Sequence, residues 1–388
     1  MGKNEGVPMK RANFHAANTV LMFEGGGMRA SYTAAMASLL LEQNITFGHV
    51  CGISAGSSHT VNYLSGDIWR TRASFTDLVM EPEFGGAKTF AQGKGMFSAH
   101  WIYEEAGLPE GVLPFNFEAF AQNPTPCSIQ AFDRDTGESV VWHKEDMATL
   151  EDLMVRVRAS STLPVVMPPV HIGDHVYYDG GLGVGAGIPL QLALDSGCSR
   201  ILAILTRSKG FRKPVDDIGA SAKAIANSYH RYPKVKEALL TRNKRYNAEL
   251  EKLEALAEEG KAYIVYADKM AVSNSTTDLE RLRASYFDGY NQYQDQLPEI
   301  LEWALKAGGN SSYIKVMPSA WNRSPHATPV AYSPARIVTF CLMRRFSPKS
   351  TRMPISCETQ RPESMAPRAP ACHQGTAGYH YAGSAAWG

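Results

Sequence analysis

The sequence predicts an α/β fold in which helices wrap a mostly parallel sheet. Three observations carry the prediction. Two successive units of apolar strand, glycine turn and helix fill the N-terminal part of the chain. Further on, RILAILT at 200–206 and YIVY at 263–266 are continuous apolar runs, as expected of strands buried on both faces. Finally, 388 residues, 44% of them hydrophobic, suffice for a substantial core in one large domain or two smaller ones.

The elements follow in order. NTVLMFEGG opens with an apolar run at 20–23 that breaks into Gly25, Gly26 and Gly27. Residues 31–42 (SYTAAMASLLLE) are rich in Ala and Leu and read as a helix. ITFGHVCGIS is the second strand, and AGSSHTVNYLSGD a helix that starts directly after Ser54. Asp133 and Asp135, in AFDRDTGE, read as a turn between strands and not as a catalytic carboxylate pair. Arg156 and Arg158 are expected on the surface of a helix that Pro164 ends. VHIGDHVYYDGG alternates with period two across Gly173-Asp174, which predicts a hairpin. RYPKVKEALLTRNKRYNAELEKLEALAEEG is a long charged helix. Its apolar stripe of Val235, Leu239, Tyr246, Leu250 and Leu253 is expected to pack on the core.

Composition changes after Lys306. Nine prolines lie between Pro318 and Pro370, basic residues abound, and Glu358 and Glu363 are the only acids. Without hydrophobic periodicity such a stretch cannot bury a core of its own. The expected organisation is therefore a domain at 18–306, with a C-terminal helical part from about 215 to 306. A tail at 307–388 is expected to be disordered or to stand outside the core.

Several function classes are disfavoured. A net charge of +1 gives no support for nucleic-acid binding. The N-terminal MGKNEGVPMKRANFHAAN has no apolar run, so neither a signal peptide nor a membrane anchor is expected. Gly6 stands where myristoylation would need Ser or Thr. No stretch approaches the length of a membrane span. Six scattered cysteines without a C-x-x-C pair argue against a zinc site or disulfide framework and favour a reducing, cytoplasmic setting.

Three short stretches carry chemistry. CGISAGS at 51–57 fits G-x-S-x-G, with Gly52 and Gly56 flanking Ser54. A serine on a sharp strand-to-helix turn presents its hydroxyl, and a Cβ two residues to either side would strike the neighbouring chain. EGGGMRA at 24–30 is a glycine turn feeding a helix. Its backbone N–H groups could hold an oxyanion, aided by the helix dipole. YYDGG at 177–181 places Asp179 after an apolar strand and before two glycines. Each stretch alone is unspecific.

Their order is informative. GGGMRA at 25–30, GISAGS at 52–57 and DGG at 179–181 together resemble the bacterial patatin-like phospholipases, lipid acyl hydrolases with a Ser–Asp dyad. Supporting similarity lies in RASSTLPVVMPPV at 158–170, LTRSKGFRKP at 205–214 and LERLRASYFDGYNQ at 279–292, so the resemblance covers roughly 18–306. It implies a three-layer α/β/α fold with a mostly parallel central sheet and no metal or organic cofactor. It makes Ser54 the nucleophile, Asp179 its base, and Gly25, Gly26 and Gly27 the oxyanion hole. Arg29 would brace that loop or meet a phosphate, and Ser160 and Ser161 would line the site. The implied substrate is a fatty acyl ester or phospholipid, with any membrane contact peripheral. Two departures stand out. Ala30 replaces the glycine that usually closes the first block, and LGVGAGIPL after DGG is longer than the family's loop and lacks its aspartate.

The chemistry is coherent on its own terms. A free aspartate near pKa 4 is a poor proton acceptor from a hydroxyl, but burial raises that value toward the working range. Attack on an ester would give an acyl-enzyme, from which Asp179 could activate water to release the acid. Three rivals exist. A conventional Ser-His-Asp hydrolase needs a histidine after its acid, and outside the tail only His230 follows Asp179. His59 reads as a packing or surface residue. Gly25-x-Gly27-x-x-Ala30 fits a dinucleotide fingerprint, yet the second strand ends in CGIS without the acid that motif wants, and Glu42 precedes that strand. A non-catalytic lipid-binding or scaffold protein on the same fold is the third.

Overall fold

The computed structural model describes residues 14–216 and 218–305. The stretch expected outside the core, 307–388, lies beyond them. Strand β1 (Phe14–Phe23), helix α1 (Ala30–Glu42), β2 (Ile45–Ile53) and α2 (Ala55–Leu64) form the two opening units. Short helices α3 (Ile68–Ala73), α4 (Ala87–Ala91) and α5 (Phe117–Gln122) lead to β3 (Cys127–Asp133), β4 (Ser139–His143) and α6 (Leu150–Ser161). The hairpin of β5 (Val170–Ile172) and β6 (His175–Asp179) follows, turning at Gly173 with φ +58°. Then come α7 (Leu190–Asp195), β7 (Arg200–Ile204), α8 (Ala220–Ser228), α9 (Pro233–Glu258), β8 (Ala262–Val265) and α10 (Leu279–Leu305).

The strands form one sheet in the order β5-β6-β3-β2-β1-β7-β8, with β4 also paired to β3. From β3 through β2, β1 and β7 to β8 all pairings are parallel, whereas β4 and β6 run antiparallel to β3. Crossover helices impose the parallel direction, because each returns the chain to the same end of the sheet. Helices cover both faces. Val20 and Met22 of β1, Cys51 and Ile53 of β2, and Ile201 and Ala203 of β7 pack under α7 and the apolar side of α9. Alternate residues of β1 turn the other way, where the Phe23 ring lies 5.2 Å from that of His59 on α2. On this side α1 is buried from Ala30 to Leu40, which explains its small, uncharged residues. α10 packs against α1, with Ser31 Oγ donating to Ser285 Oγ at 3.0 Å and Tyr32 and Tyr293 edge to face at 5.6 Å. The result is a three-layer α/β/α fold.

Of the α9 stripe, Val235, Tyr246, Leu250 and Leu253 are buried and Leu239 is half-buried. Truncating a buried leucine there to alanine would cost about 2–5 kcal/mol. Asp133 does form a turn: its Oδ1 accepts the N–H groups of Asp135 and Thr136 at 2.9 Å, and its Oδ2 lies 2.7 Å from His175. Arg158 differs from its surface assignment. Its guanidinium turns inward onto Glu104 at 2.5 Å, while Arg156 pairs one turn back with Asp152 at 2.8 Å. The residue at 104 belongs to an inserted segment that packs on α6, which the α6 sequence does not announce.

Candidate active site

The parallel strands deliver their C-terminal ends to one edge of the sheet, and the three sequence blocks meet there. Ser54 is the single residue between β2 and α2, with φ +58° and ψ −125°, a conformation few non-glycine residues adopt. Its flanking glycines are needed for steric reasons. A Cβ on Gly52 would be driven into the Gly56 carbonyl oxygen, and one on Gly56 into that of Phe23. The Ser54 carbonyl accepts the Ser57 N–H at 2.8 Å and so starts α2, while the Ser54 N–H donates to Ser160 Oγ at 3.0 Å. The hydroxyl is left to project, and it donates to Asp179 Oδ2 at 2.6 Å.

Asp179 closes β6, opposite Ala131 of β3, and is only 3% exposed. Its N–H donates to the Thr162 carbonyl at 2.8 Å, and its Oδ1 accepts the Gly181 N–H at 2.7 Å. Burial pushes its carboxyl above the usual range. The bonds from Ser54 and Gly181, with Arg242 and Lys213 nearby, pull the other way. The residue is thus a better proton acceptor than a solvated aspartate.

The three loop glycines are not equivalent. The Gly25 N–H donates to the Gly187 carbonyl at 2.9 Å, and the Met28 N–H to that of Asn274 at 3.0 Å. Among the described residues the Gly26 and Gly27 N–H groups meet no protein acceptor, and both glycines line the cleft beside Ser54. Gly27 has φ +55°, and a Cβ on it would run into the Asn274 carbonyl. Arg29 is 5% exposed, and its Nε donates to Thr206 Oγ1 at 3.4 Å. Thr206 N–H and Tyr246 OH in turn donate to Glu24 at 2.5 and 2.7 Å. Burial and the neighbouring Arg207 lower the Arg29 guanidinium to about 10, which still leaves it cationic at neutral pH.

A cleft opens beside Ser54 and Asp179. Phe75, Phe84, Phe97, Ile102, Leu163 and Met167 make its apolar wall, with Tyr103 and Ser161 beside Asp179. Among the described residues no histidine lines it. His59 is wholly buried between Phe23 and Phe75, bonded to Thr33 Oγ1 at 2.9 Å, and burial lowers it to about 3. His230 is exposed before α9. A serine hydroxyl bonded to a buried carboxylate, two free N–H donors and an apolar trough suit acyl transfer to and from water. Arg242 and Asn274 also line the cleft, and the sequence reading passed over both. Arg242 sits in a charged helix where any arginine reads as solvated, and Asn274 acts through its carbonyl, which leaves no side-chain signature.

Residues 21–194 match the family model described as patatin-like phospholipase, and residues 232–304 match a domain of unknown function (DUF6363). Among solved structures, VipD from Legionella pneumophila aligns over 73% of this chain and 67% of its own, at 14% identity and a TM-score of 0.40. No curated protein matches the chain.

Proposed function

We propose that this chain, which belongs to the patatin-like phospholipases through its domain at 21–194, is a serine lipid acyl hydrolase of the phospholipase A or lysophospholipase kind. The observation that carries the reading is the 2.6 Å bond from Ser54 Oγ to the buried Asp179 carboxylate at the edge of an apolar cleft. Asp179 takes the hydroxyl proton as Oγ attacks the ester carbonyl. The oxyanion is held by the Gly26 and Gly27 N–H groups, while Gly25 anchors the loop through Gly187. Collapse of the tetrahedral intermediate returns the proton to the departing alcohol and leaves an acyl-enzyme. Asp179 then deprotonates water, which attacks the acyl carbonyl and frees the fatty acid with Ser54 restored.

The acyl chain lies along the aromatic and aliphatic wall, where each buried methylene contributes about 0.8 kcal/mol. Arg29 supports the oxyanion loop. We take 18–306 as the working unit and the cytoplasm as its setting. No described helix is long and apolar enough to cross a membrane, and the reading takes any contact with a bilayer as peripheral. The segment whose Phe84 and Phe97 line the cleft exposes Phe90, Lys88 and Lys94 between them, and it suits an anionic lipid surface. A conventional triad has no support, since neither His59 nor His230 reaches the cleft. The altered loop after Asp179 favours one second reading, a lipid-binding protein without turnover.

Fluorophosphonate labelling of purified protein, followed by mass mapping, separates the two. Labelling at Ser54 that is lost in Asp179→Asn supports the hydrolase. Folded wild-type protein that takes no label and turns over no ester leaves the lipid-binding reading.

A further inference from the structure

The patatin-like match ends at residue 194, yet the site does not. Arg242 and Arg245 lie on α9, inside the segment matched to a domain of unknown function, and both reach the turn that follows Asp179. Arg242 Nε donates to the Gly181 carbonyl at 3.0 Å. Arg245 Nη2 donates to the Leu182 carbonyl at 2.8 Å and its Nη1 to that of Gly183. Three consecutive carbonyls are thus gripped from one side. The same Gly181 gives its N–H to Asp179 Oδ1 at 2.7 Å. Arg245 is itself fixed by a bond to the Ala238 carbonyl of its own helix at 2.8 Å.

This turn needs an external hold. Residues 180–187 include Gly180, Gly181, Gly183, Gly185 and Gly187, and Gly185 and Gly187 have φ +79° and +118°. Such a segment loses much backbone entropy on ordering, and only Leu182 and Ala186 bring it buried side chains to offset the loss. Its order also matters at the far end, because the Gly187 carbonyl anchors Gly25 of the oxyanion loop. One glycine-rich loop therefore joins the two halves of the site, and α9 holds it.

We infer that α9 is an integral part of the active site, with Arg242 and Arg245 as positioning residues that hold the Asp179 turn. The inference rests on the Ser54–Asp179 reading and gives the helical segment of unknown function a role in that chemistry.

The two arginines have separable consequences. Arg242 borders the cleft near Asp179, whereas Arg245 grips only the turn's backbone. The charged and titratable groups facing Asp179 are Arg242, Lys213 and the Tyr103 phenol. Asp179 must be ionised to accept the Ser54 proton, burial opposes ionisation, and Arg242 favours it. Removing that cation raises the carboxyl further, so activity is lost first at low pH.

The test uses the full chain with Arg242→Met, Arg242→Lys, Arg245→Met and Ser54→Ala. Turnover of a soluble p-nitrophenyl ester is measured across pH and normalised to sites titrated with fluorophosphonate, which discounts unfolded protein. For Arg242→Met, kcat per titrated site falls by about tenfold to a hundredfold with KM little changed, and the acid limb moves to higher pH. Arg242→Lys restores the acid limb. Arg245→Met lowers kcat with the limb unmoved. Should Arg242→Met not fold, wild-type kcat per site in Arg245→Met overturns the inference by itself. Wild-type kcat per site in Arg245→Met, together with an unmoved limb in Arg242→Met, overturns the inference. Full turnover in Ser54→Ala overturns the dyad reading instead.

Discussion

Two glycine-bounded turns face each other across the site, and they are held in opposite ways. The Ser54 turn is set almost entirely by its own residues and the strand beside it. Gly52 and Gly56 allow backbone to touch backbone, Ser57 caps the turn from three residues on, and α2 begins at once. The Asp179 turn has an equally short sequence signal, DGG, but it is gripped by arginines some sixty residues later, Arg242 being 61 positions beyond Gly181. One half of the proposed dyad is locally forced and the other is placed by tertiary structure. A nucleophile that must sit in a strained conformation needs steric walls that cannot drift. A carboxylate needs only the right distance and burial, which a remote helix can supply.

The comparison can be broken most directly at the chemistry. Ser54→Ala should lower ester hydrolysis by about four to six orders of magnitude, and Asp179→Asn nearly as far, both in folded protein. Substantial turnover by either variant would show that the two turns do not serve one reaction. The next effect is on stability. Gly56→Ala forces a Cβ into the Phe23 carbonyl and should cost about 3 kcal/mol or more in a denaturant titration. Gly187→Ala meets only Arg242 Nη2, at 3.6 Å, so backbone strain at φ +118° should limit its cost to about 1–2 kcal/mol. Equal costs would erase the contrast between a locally walled turn and a remotely held one. Smallest of all, His230→Ala should leave kcat/KM within about twofold, since an exposed surface side chain away from the cleft contributes little. A dead His230 variant would restore the triad.

How much was legible in the sequence follows the same division. The opening strand-turn-helix units, the hairpin at Gly173 and the α9 stripe were readable because periodicity and turn sterics act within a few residues. β1 nevertheless begins at Phe14, ahead of the apolar run at 20–23. Pairing with β2 carries it through the polar Asn18 and Thr19 by a register shift between Ala16 and Val20. Arg158 was unreadable for a related reason: its partner Glu104 arrives from a separate segment. Ser54, Asp179 and the glycine loop could be named in advance as candidates, and the structure brings them to one cleft. The unequal roles of Gly25, Gly26 and Gly27 could not, since Gly25 is distinguished only by a carbonyl at 187.

The sequence by itself determined the α/β class, the bend at Ser54 and the residues proposed for acyl transfer, because glycine sterics and apolar spacing are properties of neighbouring residues. Only the tertiary structure decided that Ser54 Oγ and Asp179 Oδ2 stand 2.6 Å apart, that the Gly26 and Gly27 N–H groups meet no acceptor among the described residues, and that Arg242 lines the cleft. Those outcomes depend on hydrogen bonds between residues far apart in the chain. Such bonds form only once burial of the sheet's two faces has brought the segments together.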